Sequence, residues 1–188
     1  MARAGVTPEC FGVVFERHFE AVFRFCERRV GRAAAEDLAG ETFRRAFEGR
    51  GGYDGERGDA RPWLFGIALN VVRSELRSRA IRDRAYGRLA GMAVTGEADN
   101  VSGMLGRRAA SEELAVVAGL LVRLPEDDVE ALLLHVWDGL SYAEVAVALG
   151  VPVGTVRSRL SRLRRRLAVL LAETTSGWEG SGVREARG

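Results

Sequence analysis

Apolar residues along this chain recur at steps of three and four, the period of a helix seen from its buried side. Phe11, Val14, Phe15, His18, Phe19, Val22, Phe25, Cys26 and Val30 trace the first such stripe, which stops at Gly31 and predicts a helix. A second helix is predicted from about Ala34 to Phe47, with Glu36 and Asp37 expected in its first turn, where the helix dipole favours acids. The glycine-rich stretch 49–59 predicts a loop. From Arg61 to Arg77 the chain predicts a third helix, opened by Pro62 and carrying Leu64, Ile67, Ala68, Val71 and Val72 on one stripe. No stretch alternates apolar and polar residues in the manner of a strand, so the expected fold is all-α.

Residues 81–111 lose this periodicity and are interrupted by Gly87, Gly91, Gly96, Gly103 and Gly106, which predicts a flexible linker, partly helical at most. Helical spacing returns near Ser111 and continues to about Arg123; Pro125 opens a further helix that ends near Trp137, before Gly139. Ser141 and Glu144 have the spacing of a capping box, and the short helix they open stops at Gly150. After the VPVG turn, Val153 to Leu171 predicts a long basic helix. A short helix, a tight turn and a basic second helix form the pattern of a helix-turn-helix. From Glu173 the chain reads as a disordered tail. The expected organisation is two small helical domains, residues 10–80 and 112–172, joined by the flexible linker 81–111 and followed by the tail 173–188.

Two polar faces could carry chemistry. On the third helix Trp63, Asn70, Arg73 and Arg77 fall on one line, at steps of seven, three and four. Arg neutralises phosphate, an aromatic ring stacks on a base, and Asn bonds a base edge. A nucleic-acid surface and an ordinary solvated face fit this strip equally well. On the last helix Val156, Leu160, Leu163, Leu167 and Leu170 form an apolar stripe, and Thr155, Ser158, Arg159, Arg162 and Arg166 are expected on the opposite side, where Arg can reach phosphate and guanine edges. Packing against the acidic helix near 126–138 is the competing account of that Arg row.

The net charge of +2 hides alternating blocks. Residues 57–88 hold eight Arg and three acids, 126–144 six acids and no Arg, 153–171 six Arg and no acid. Such blocks suit partners of both signs, with DNA a candidate for the basic ones. No apolar run approaches the roughly 20 residues that span a bilayer, and the first residues lack a signal-peptide core, so no membrane insertion and a cytoplasmic location are expected. Cys10 and Cys26 are expected on one helix about 24 Å apart, too far for a bridge. With only His18 and His135 beside them, no metal site or cofactor is expected. No phosphate-binding Gly loop with Lys, HExxH or nucleophile–base pair is present, so an enzyme is not expected.

Three segments in order, AEDLAGETFRRAF (35–47), YDGERGDARPWLFGIALN (53–70) and LPEDDVEALLLHVWDGLSYAEVAVALGVPVGTVRSRLSRLRRRL (124–167), resemble the extracytoplasmic-function (group 4) sigma factors of bacterial RNA polymerase, within the sigma-70 family. The resemblance covers about residues 11–80 and 112–172. It implies an alternative sigma factor whose partners are core RNA polymerase and promoter DNA, with an anti-sigma factor as a candidate regulator. It implies docking on the β′ clamp helices through the positions matching Asp37, Leu38, Glu41 and Phe43, and on the β flap through the wall of the second domain. It further implies melting and reading of the −10 element around Trp63, Asn70, Arg73 and Arg77, with Asn70 at the position that reads an extruded base. Reading of the −35 element would fall to Thr155, Arg157, Ser158, Arg159 and Arg162. Two positions depart from the family pattern: Gly40 stands where Gln is common, and Val129 where Arg is frequent. The alternative is a single-component helix-turn-helix regulator with a sensing N-terminal domain, which accounts for the C-terminal half but not for the Trp-Asn-Arg-Arg strip.

Overall fold

The structure is a computed structural model that describes residues 8–53, 59–89, 119–121 and 123–179. Among these residues there is no strand, as the missing two-residue alternation predicts. α1 (Pro8–Val30) ends at Gly31, whose φ of 83° admits the reversal that starts α2 (Arg32–Gly49) one residue later. Because α2 begins at Arg32, Glu36 and Asp37 lie beyond its first turn, which holds no acid, contrary to the expectation above. A single 3₁₀ turn (Arg50–Gly52) follows. α3 (Arg61–Leu89) is opened by Asp59, whose Oδ1 accepts the Arg61 N–H at 3.0 Å.

α1, α2 and α3 pack together around Val22, Phe25, Ala39, Phe43, Leu64 and Ala68, all buried. Phe43 sits at the centre of an aromatic group, with ring centroids 4.8 Å from Phe15, 6.1 Å from Phe19 and 6.4 Å from Phe11. α3 runs twelve residues past Arg77, so residues 81–89 are helix where linker was expected. Nothing there breaks the hydrogen-bond ladder, and Glu75 bonds both Arg79 and Arg82 on the exposed flank. The rest of the expected linker lies outside the described residues.

In the C-terminal half α4 (Glu126–Val136), α5 (Tyr142–Leu149) and α6 (Val153–Glu179) are the last three of the four helices expected from sequence; the first, expected from Ser111 to about Arg123, lies mostly outside the described residues, of which 119–121 are helical. The capping box is complete: Ser141 Oγ accepts the Glu144 N–H at 3.3 Å, and Glu144 Oε2 accepts the Ser141 N–H at 2.7 Å. Gly139 and Gly150 take positive φ, 68° and 65°, at the two turns. Leu121, Leu124, Val129, Leu133 and Leu163 make a local core. α6 extends through Glu179, so residues 173–179 continue the helix instead of forming the tail read from sequence; with no proline, elongation of a formed helix proceeds readily. Residues 180–188 lie outside the described residues.

The two halves share a core. Ala131, Leu134, Leu140, Val145 and Val156 belong to the same buried cluster as Phe25, Leu64 and Ala68. At the seam the guanidinium of Arg29 donates to Glu130 (2.9 Å) and Asp138 (3.0 Å), Arg28 donates to the other oxygen of Asp138, and Arg61 donates to the Asp138 carbonyl. Arg29, Glu130 and Asp138 are all buried, an arrangement tolerable only because each charge is paired.

Candidate nucleic-acid interface

α3 presents the strip expected from sequence, with a finer division of labour. Asn70 and Arg77 are exposed. Trp63 is half-buried, its indole stacked on Tyr53 with centroids 4.7 Å apart, so the ring is braced from one side. Arg73 is half-buried and reaches Asp127 of α4 at 4.0 Å. Leu64, Ala68, Val71 and Val72 are buried and Ile67 half-buried, so the apolar stripe faces inward as predicted.

Gly66 falls on the same line as Trp63, Asn70 and Arg73, and sequence reading passed over it. A Cβ placed there would lie 2.8 Å from the carbonyl oxygen of Ala148. α3 and α5 therefore meet backbone to backbone, an approach only glycine permits.

On α6, Val156, Leu160 and Leu163 are buried, and Arg157 and Ser158 are exposed. Thr155, Arg159, Arg162 and Arg166 do not stand directly opposite this stripe. At 100° per residue they occupy the flank facing the start of α4. Arg159 donates to Asp127 at 2.6 Å, and Arg162 holds Asp128 in a fork of 2.6 and 2.7 Å. Asp128 is fully buried, and pairing with it pushes the Arg162 pKa further up. The packing of the Arg row against acidic α4, the competing account of that row, is therefore realised for Arg159 and Arg162. Directly opposite the leucines lie Ser158, Ser161 and Arg165, all exposed; helical angle, rather than residue type, was the signal for the last two. On the other flank Arg164 donates to the Tyr142 hydroxyl at 2.8 Å.

The docking residues expected on α2 are divided as well. Asp37 is exposed and Leu38 half-buried, whereas Phe43 is buried in the aromatic group. Glu41 receives Arg44 and Arg45, whose hydrogen bonds hold its carboxyl down to about 2. A groove of about 530 Å³ beside the late part of α6 is lined by Leu124, Val169 and Leu170 together with Arg123, Arg162, Arg165 and Arg166.

Cys26 is buried and free, its thiol pushed up to about 12 by desolvation, which leaves it unreactive. Among the described residues no three His, Cys, Asp or Glu are grouped to hold a metal, and no helix is long and apolar enough to cross a membrane.

Residues 14–81 match the family model for sigma-70 region 2, and residues 114–167 match that for sigma-70 region 4. The ECF RNA polymerase sigma factor SigC of Mycobacterium tuberculosis is 36% identical over 148 residues, covering 78% of this chain and 75% of that protein. The RNA polymerase sigma factor CnrH of Cupriavidus metallidurans is 32% identical over 176 residues, covering 89% and 90%. Among solved structures, CnrH in complex with the cytosolic domain of CnrY superposes with a TM-score of 0.56 at 27% identity, over 89% of this chain and 90% of that one. The sigma factor RpoE of Bartonella quintana in complex with the anti-sigma factor NepR gives 0.55 at 27%, over 86% and 96%. The two matched regions, in order on an all-α chain whose basic faces lie on the helices those regions supply, place this protein in the extracytoplasmic-function group of the sigma-70 family.

Proposed function

We propose that this chain binds core RNA polymerase and directs it to promoters, with α3 reading and melting the −10 element and α6 reading the −35 element. The observation that carries the reading is Asn70: an exposed amide, one helical turn from Arg73 and two from Arg77, on a helix rigidified by a buried apolar stripe. An amide so held can bond the edge of an unstacked base while the guanidiniums meet phosphates. On α6, Arg157 and Ser158 are open to a major groove, and Arg159 would join them by parting from Asp127 on the adjacent flank. No catalytic group is required of the chain itself.

Toward polymerase, Asp37 and Leu38 offer an accessible acid and apolar contact on α2 for the β′ clamp helices. Phe43 supports that surface from beneath, and the carboxylate of Glu41 is shared with its own Arg44 and Arg45. The groove beside α6 suits an apolar segment of the β flap, with Arg side chains also lining it. An anti-sigma partner is part of the proposal, since CnrH and RpoE were both solved with partner proteins. A regulator with a sensing N-terminal domain fits less well, because the helices of that half are matched by region 2.

Run-off transcription with purified core enzyme on genomic fragments tests this reading. Wild type initiates at defined promoters, and Asn70→Ala lowers initiation by the equivalent of about 1–3 kcal/mol while core pull-down is unchanged. Full activity of Asn70→Ala would remove Asn70 as a base reader, and no initiation by wild type on any fragment would refute the function.

A further inference from the structure

We infer that His18 is a positioning residue for −10 reading: it holds Asp59, and through Asp59 the start of α3, so that Trp63 meets the strand at a fixed place. The role rests on the promoter-directing reading above. His18 lies on the inward stripe of α1 with Val22 and Phe25, and like them it is buried. A polar ring in such a place needs a partner. It meets the Asp59 carboxylate, with Nε2 3.3 Å from Oδ1. The same Oδ1 accepts the Arg61 N–H at 3.0 Å, which closes an Asx turn at the mouth of α3. One carboxylate oxygen therefore ties α1 to the first residue of α3. Burial lowers the His18 pKa below 6.5, opposed by Asp59 and assisted by Arg17 and Arg61, so the ring is neutral at pH 7. A carboxylate only accepts, and the neutral ring turns its Nε2–H toward it.

What this link sets is the place of the indole. Tyr53, whose N–H bonds the Arg50 carbonyl at 3.2 Å, lies nearly parallel to Trp63, with 28° between the rings. Trp63 is thus braced by Tyr53 at its ring and by Asp59 and His18 at the start of its helix. Between the two, Ala60 is buried and its carbonyl accepts the Leu64 N–H at 2.9 Å, so the first turn of α3 begins without slack. An indole that stacks on a base or wedges between two of them must stand at the height of the base step, and small displacements of such a group are costly. His18 itself is buried beneath α3 and touches no strand, so its loss removes no contact with DNA. It acts through Asp59 alone.

The test uses the full-length chain assembled with core enzyme, and a single strand carrying the non-template −10 region of a promoter mapped by run-off transcription. His18→Leu keeps an apolar side chain in the buried place but cannot pair. Asp59→Ser keeps a side-chain oxygen for the turn onto Arg61 and is too short to reach His18. Each variant binds the strand about fivefold more weakly than wild type, the scale of one lost polar contact, while core pull-down is unchanged. The double variant is no weaker than the poorer single one, because both changes break the same link. His18→Gln, whose amide can still donate toward Asp59, recovers most of the affinity. Losing an acid beside DNA by itself favours binding, so the fall in Asp59→Ser reports position and not charge. Losses that multiply in the double variant, or that come with an equal loss of core pull-down, would overturn the role, since either marks general damage to the fold. Undiminished strand binding by His18→Leu beside an active wild type would overturn the role alone. A wild type that initiates at no promoter would overturn the promoter-directing reading and this role with it.

Discussion

Arg159 and Arg162 are one turn apart, equally basic, and equally plausible as base readers until their partners are known. Arg159 pairs with Asp127, which is largely exposed, so removing Arg159 leaves behind a carboxylate that water can solvate. Arg162 is committed to Asp128, which has nowhere else to send its charge. Arg159→Ala should therefore leave the melting temperature within a degree or two and abolish discrimination at one or two −35 positions, as measured by transcription from a panel of promoter variants. Arg162→Ala should lower the melting temperature by about 6 °C or more, since leaving a buried carboxylate without its partner costs about 3–5 kcal/mol and each kcal/mol is worth about 2–4 °C at this size. His18 offers a residue-scale prediction of another kind. Burial lowers its pKa below 6.5, against the opposing pull of Asp59 at 3.3 Å. The unfolded chain thus takes up the proton first as pH falls, and stability drops as pH descends from 6.5 toward the folded-state value. Denaturant midpoints compared at pH 7.5 and 5.5 should show this drop in wild type and a smaller one in His18→Gln.

At the scale of the element, caps and breakers carried most of the information. Gly31, Pro125, the Ser141–Glu144 box and Gly150 mark boundaries that the backbone respects, because each supplies or relieves a hydrogen-bond or φ requirement local to its turn. Ser141→Ala should cost about 1 kcal/mol, read as a lower melting temperature, and weaken −35 binding only in step with that loss. Where such punctuation was missing, the ends went wrong. α3 and α6 both outrun their apolar stripes, since a solvated helix continues on propensity and side-chain pairs such as Glu75 with Arg79 after burial has ended. The start of α2 was misplaced by two residues for the converse reason: Gly31, not the acids, sets it.

For the whole molecule, the helix-turn-helix, the all-α class and the strip on α3 were legible in the sequence, since period, caps and residue type are properties of a few neighbouring positions. Their order along the chain was enough to raise the sigma resemblance before any fold was known. The tertiary structure alone decided which charges are free. Asp127 and Asp128 look like ordinary dipole-favoured acids at the start of α4, and Arg159 and Arg162 like a row opposite leucines; only the crossing of α4 over α6 pairs them. Gly66 carries no signal in a helix of otherwise regular pattern, because its meaning is the carbonyl of Ala148, 82 residues away. The union of the two halves was illegible for the same reason. Arg29, Glu130 and Asp138 are charged residues that composition assigns to the surface, and long-range packing alone buries them as partners.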